Sequence, residues 1–221
     1  MPEVAAICRR VGALLHVDAT QTVGKLDLGV NWYAADSIAF SAHKFHGPPG
    51  IGGLWLASGS QLRPLLHGGE QQLLSRPGTE PVALAMGMSK ALELALDAMP
   101  AANERVASMR QGFESQLQDQ CPGLCLHGST VKRLPGTSCV SFPGIDRQNM
   151  LMALDLASVA CSSGSACSSG SSPPSHVLTA MGCEDWQVAS AIRFGISRFS
   201  TSAEIEDAAN RICRIFSRLR L

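Results

Sequence analysis

Apolar positions recur along the chain with two periods. Helical spacing predicts helices over residues 2–11, 81–99, 102–120, from Asp146 through Leu156, and from Thr201 onward. The 81–99 segment is apolar nearly all round, which predicts a buried helix with Met86 and Met88 as packing residues, broken by Pro100. The next helix carries Val106, Met109, Phe113 and Leu117 on one face, and Pro122-Gly123 ends it. Thr201-Ser202-Ala203-Glu204 reads as a capping box ahead of Ile205, Ala209, Ile212, Phe216 and Leu219. Pro173 and Pro174 open a helix that stops at Gly182. Short apolar or alternating runs predict strands at Ala13 to Val17, before Ser41, at Leu54 to Leu56, at Thr137 to Phe142, at Ser158 to Cys161 and at Ser190 to Ser197. The expected division is near residue 84, with an α/β unit over 1–84 and a compact α+β unit over 85–221.

Composition narrows the picture. Apolar residues make up 45% of the 221 and charged residues 16%, a balance suited to an enzyme-like core and not to a disordered segment. Lysine plus arginine equals aspartate plus glutamate at 18 each, so no basic excess points to nucleic acid. No apolar run approaches membrane-spanning length, and the start lacks signal-peptide regions. Eight cysteines at irregular spacing, several in apolar segments, read as thiols of a reducing, cytoplasmic setting. Cys121, Cys125 and His127, or His43 with His46, carry zinc-ligand chemistry but lack a second pair at finger-like spacing.

The candidate chemistry gathers at strand ends. An apolar strand runs into Ser41, His43 and Lys44 before the Gly/Pro turn 47–50. A lysine held there among donors can lose its proton and form a Schiff base with an aldehyde. Upstream, another strand delivers Asp18 to its C-terminal end, where α/β sheets place ligands, with Gln21 one turn further on. Arg193 faces opposite to Ile192 and Phe194 on a half-buried strand, with Arg198 as the neighbour most easily confused with it. A Ser/Gly run, ordinarily a linker, carries Cys167 at its centre, which linkers seldom do because an exposed thiol is an oxidation hazard. Cys161, at the end of the preceding strand, is the buried alternative.

His16-Val17-Asp18-Ala19-Thr20-Gln21, Ser41-Ala42-His43-Lys44, Arg76-Pro77-Gly78-Thr79 and Ser163-Gly164-Ser165-Ala166-Cys167 together resemble the class V aminotransferase family of pyridoxal-phosphate enzymes, and within it the cysteine desulfurases. The resemblance implies the fold type I architecture of aspartate aminotransferase: residues 1–84 form the C-terminal part of the cofactor-binding large domain, and 85–221 the small domain with the cysteine loop. It implies that Asp18 pairs with the pyridine nitrogen, Gln21 donates to the phenolic oxygen, and Ser41 and His43 hold the phosphate. Lys44 carries the cofactor, and Thr79 reaches the phosphate bound by the other subunit of a homodimer. Thr79 is also placed to cap the helix starting at Pro81. Arg193 then grips the carboxylate of L-cysteine, and Cys167 takes its sulfur as a persulfide for an acceptor protein, in iron–sulfur assembly or tRNA thiolation.

Members of that family are roughly twice as long, so the resemblance also implies further chain before the Asp18 strand, carrying a phosphate loop and a histidine that stacks on the ring. Two alternatives accompany the desulfurase reading. One is a non-catalytic C-terminal module that dimerises or binds sulfur acceptors; the other is a related enzyme such as a selenocysteine lyase or an aminotransferase.

Overall fold

The computed structural model of the chain describes residues 1–27, 29, 34–163 and 173–220. It divides into two compact units, Met1–Pro100 and Ala101–Leu221. The sequence placed the division near residue 84. The later boundary follows from Ala95 and Met99, which are buried within the first unit, Ala95 against Ala42 and Phe45.

In the first unit, helix α1 (Pro2–Val11) begins with a proline in its first turn and ends at Gly12, whose φ of 68° lies in the left-handed region that favours glycine. Strand β1 (His16–Asp18) pairs in parallel with β2 (Ser37–Ser41), which pairs antiparallel with β3 (Gly52–Leu56). Asp36 ties the three together. Its Oδ2 accepts from Leu15 N at 2.7 Å, its own N–H donates to Leu15 O at 2.9 Å, and its carbonyl accepts from Ala57 N at 3.0 Å. Beneath this sheet Ala5, Leu15, Ala19, Ala35 and Ile38 form a small core. A 3-10 turn, Ala42–Phe45, leaves the end of β2.

Helix α2 (Val82–Gln120) runs without interruption through Pro100, so the expected break is absent. A proline removes one N–H and crowds one carbonyl, a local cost. Packing on either side, by Ala95 and Met99 before it and Val106 and Met109 after it, holds the helix through. The 81–99 segment is also less buried than its composition suggests, with Val82, Met86 and Leu94 at least half exposed.

The second unit is built on an antiparallel sheet of order β4 (Cys125–Leu126), β5 (Thr137–Ser141) and β6 (Ala191–Gly195). One face packs Val140, Ile192 and Phe194 against α2, α3 (Arg147–Leu156) and the last helix, α6 (Ser202–Leu219). Phe113 meets Phe194 edge-on at 5.3 Å. The expected caps are present: Asp146 accepts from Asn149 N, and Thr201 and Glu204 form a reciprocal box. Two short helices, α4 (His176–Ala180) and α5 (Asp185–Ser190), precede β6. The sequence reading missed α5, a single capped turn and a half too short to show a period. Residues 158–161 form no strand; only Ser162 bridges to Arg193.

Arg133 lies across Glu114 with two bonds of 2.9 and 2.7 Å, the carboxylate side chain 7% exposed. Replacing Arg133 with alanine removes both of these bonds and leaves the buried carboxylate with only Arg110, its Nε 3.7 Å away, opposite it. The expected loss is roughly 3 kcal/mol of unfolding free energy, read from the shift of the urea midpoint.

Candidate active site

The parallel register of β1 and β2 sets Asp18 level with Ala39, two residues before Ser41. The next residue keeps step, Ala19 N–H donating to Ala39 O at 2.8 Å. Both strands therefore end at the same edge of the sheet. From that edge the 3-10 turn carries His43 and Lys44, closed by His46 at φ 69°. Ser41 Oγ and His43 Nδ1 lie 2.8 Å apart. Asp18 accepts from Thr20 N at 2.9 Å and from the Thr20 side chain, and these bonds hold its carboxyl below the usual range. It is an anion at neutral pH.

Gln21 presents a fixed amide. Its Oε1 accepts from Lys25 Nζ at 2.8 Å, which turns the NH2 end outward as a donor. Burial, and then the charge of Lys44, push the Lys25 ammonium below its ordinary value. The two lysines therefore lie within electrostatic range of one another. The sequence reading passed over Lys25, although its i,i+4 spacing from Gln21 is a readable signal. Asp18, Gln21 and His43 are exposed, and Ser41 and Lys44 half-buried. An anionic carboxylate, a hydroxyl with an imidazole, an amide donor and a primary amine on one edge fit an anionic aldehyde cofactor with a basic ring nitrogen. Thr79, in the same unit, is exposed; α2 starts at Val82, so Thr79 does not cap it.

In the second unit Arg193 is exposed on β6, pointing away from the buried Ile192 and Phe194 as its alternation requires. Its backbone exchanges bonds of 2.7 and 3.0 Å with Ser162, so the start of the Ser/Gly segment is anchored at this arginine. Cys167 falls outside the described residues. Cys161 does not: burial, with Asp155 nearby, pushes its thiol up to about 11, which leaves it protonated and inert. Arg198 sits 5.0 Å over the Phe199 ring. Cys121 and Cys125, adjacent in one zinc-ligand expectation, point to different partners, Cys213 and Gln187. Among the described residues no three His, Cys, Asp or Glu side chains are placed to hold a metal.

Residues 1–207 match the family described as aminotransferase class-V. A cysteine desulfurase of Sinorhizobium fredii is 38% identical over 99% of this chain and 56% of its own length. One of Cereibacter sphaeroides is 40% identical over 98% of this chain and 55% of its own. The structure of a NifS-like protein from Rickettsia africae superimposes with a TM-score of 0.88 at 28% identity, covering 97% of this chain and 57% of that one. The chain thus spans about half the length of the relatives it matches. With the match covering all but its last residues, the chain belongs to the class-V aminotransferase family.

Proposed function

We propose that this chain is the catalytic-cysteine half of a pyridoxal-phosphate-dependent cysteine desulfurase. The observation that carries the reading is the shared strand end, with the Asp18 anion level with Ala39, two residues before Ser41 and the turn that carries His43 and Lys44. The 38% and 40% identities to cysteine desulfurases support the same assignment.

Bound at that edge, the cofactor supplies an electron sink for the substrate α-carbon. Asp18 would keep the ring nitrogen protonated by charge pairing, Gln21 would donate to the phenolic oxygen, and Ser41 and His43 would hold the phosphate. Lys44 would be the amine that holds the cofactor's aldehyde, and the same amine would move the α-proton of L-cysteine. Arg193 orients the substrate carboxylate in a bidentate grip. The Cys167 thiolate attacks the substrate sulfur. The Cβ–S bond breaks, its electron pair stays on the carbon side, and protonation there leads to alanine while Cys167 keeps the sulfur as a persulfide.

Leu65 and Leu73, at 96% and 95% exposed in the segment that leads to Thr79, support a homodimer contact there. The same persulfide serves a cytoplasmic acceptor protein, in iron–sulfur assembly or tRNA thiolation.

Purified chain supplied with pyridoxal phosphate and L-cysteine forms alanine. Lys44→Ala and Cys167→Ser each lower the rate by roughly a hundredfold or more. Alanine formation that survives Cys167→Ser overturns the desulfurase reading in favour of another enzyme of the family. No alanine from the intact chain, with no cofactor absorbance, favours the non-catalytic module.

At pH 8 iodoacetamide modifies Cys167 and spares Cys161, as peptide mapping reads out. Cys161 stays protonated in the fold to about 11, whereas in the unfolded chain it ionises near its ordinary 9. Its contribution to stability is therefore complete below pH 9 and declines as pH rises toward 11.

A further inference from the structure

Alternation gives the second unit's sheet two unlike faces. Val140, Ile192 and Phe194 enter the core, so Cys139, Ser141 and Arg193 lie on the other side. Cys125 pairs with Ser141 and Cys139 with Arg193. His127 follows β4 in register, its N–H bonded to Cys139 O at 2.9 Å. Helix α5 and the turn before it bring Gln187 and Cys183 over this face. Three thiols, an imidazole and an arginine thus share one surface.

The hydrogen bonds assign the protons. Ser141 Oγ gives its only proton to Gln187 O at 2.6 Å. At 2.7 Å from His127 Nε2 it can then only accept, so Nε2 carries the hydrogen. Burial lowers the His127 pKa and keeps the ring neutral. Nδ1 is left as a lone pair, 3.6 Å from Cys183 Sγ, where it accepts the thiol proton. Gln187 is oriented in turn. Its Oε1 accepts from Glu184 N at 2.9 Å, which aims its NH2 at Cys125 Sγ, 3.3 Å away. Burial raises the thiols of Cys125 and Cys139. Of the three thiols Cys183 has both a base and an opening: it borders a cleft of about 770 Å³ together with Arg147, Pro174, Thr179 and Asp185.

We propose that Cys183, with His127 as its general base, is a second sulfur-accepting thiol that takes sulfane sulfur from a small-molecule persulfide entering this cleft. His127 Nδ1 takes the Cys183 proton, and the thiolate attacks the outer sulfur of R–S–SH. The S–S bond breaks, and RS⁻ leaves with the electron pair and takes the proton back from His127. Cys183 ends as the persulfide and the donor as RSH. Sulfane sulfur changes owner with no net oxidation, so no further reagent is needed. The choice of a persulfide as electrophile rests on the sulfur-transfer reading; the dyad itself does not.

The test uses the full chain carrying Cys167→Ser, without cofactor, treated with glutathione persulfide and mapped by differential alkylation and mass spectrometry. Cys183 is expected to load about tenfold faster than Cys8. His127→Gln in the same background is expected to slow it by roughly a hundredfold. Equal loading of Cys183 and Cys8 overturns the proposal, a comparison that needs no His127 variant to fold. Unchanged loading in His127→Gln also overturns it, as does rapid alkylation of Cys183 by iodoacetamide without persulfide loading. Alanine formation from L-cysteine requires the cofactor and persulfide loading does not, so failure of one reading is distinguishable from failure of the other.

Discussion

The register of β1 against β2 is the constraint on which the first unit depends. Two parallel strands have no hairpin to align them. Asp36 does that work through its backbone and side chain, bonding Leu15 just before β1 and Ala57 just after β3. A slip of one residue would send Asp18 to the opposite face and Ile38 out of the core. The pairing that buries Ile38 is therefore also the pairing that ends β1 at an anion level with Ala39, two residues before Ser41.

A second sheet solves a related problem in the second unit. The antiparallel pair β5–β6 spends one face on the core and frees the other for polar groups. Arg193 and the thiol-imidazole surface share that free face because Cys139 and Arg193 are paired residues. The anchoring of Ser162 to the Arg193 backbone fixes the start of the cysteine-bearing segment at the same strand. In both units chemistry sits where packing has no further use for the backbone edge or face.

Much of this was legible in the residues. Val17-Asp18 and Ser41 to Lys44 announce strand ends, and Thr201 with Glu204 and Asp146 announce helix starts, because those signals are local. What failed depends on distant packing. Pro100 is a local stop signal overruled by contacts on both sides of it. Residues 158–161 have strand composition but form only the single bridge at Ser162. Helix α5 is too short for periodicity, though Glu184 and Gln187 form its capping box. The pairing of His127 with Cys183 spans 56 residues and rests on proton assignments that no spacing encodes.

The central claim is that one strand edge of this chain holds an aldehyde cofactor on Lys44. Borohydride reduction of the chain with pyridoxal phosphate, followed by peptide mapping, tests it most directly. The account predicts a pyridoxyl group on Lys44 in preference to Lys25, Lys90 and Lys132, the other lysines of the sequence. Label spread evenly over the four, or missing from Lys44, would contradict it.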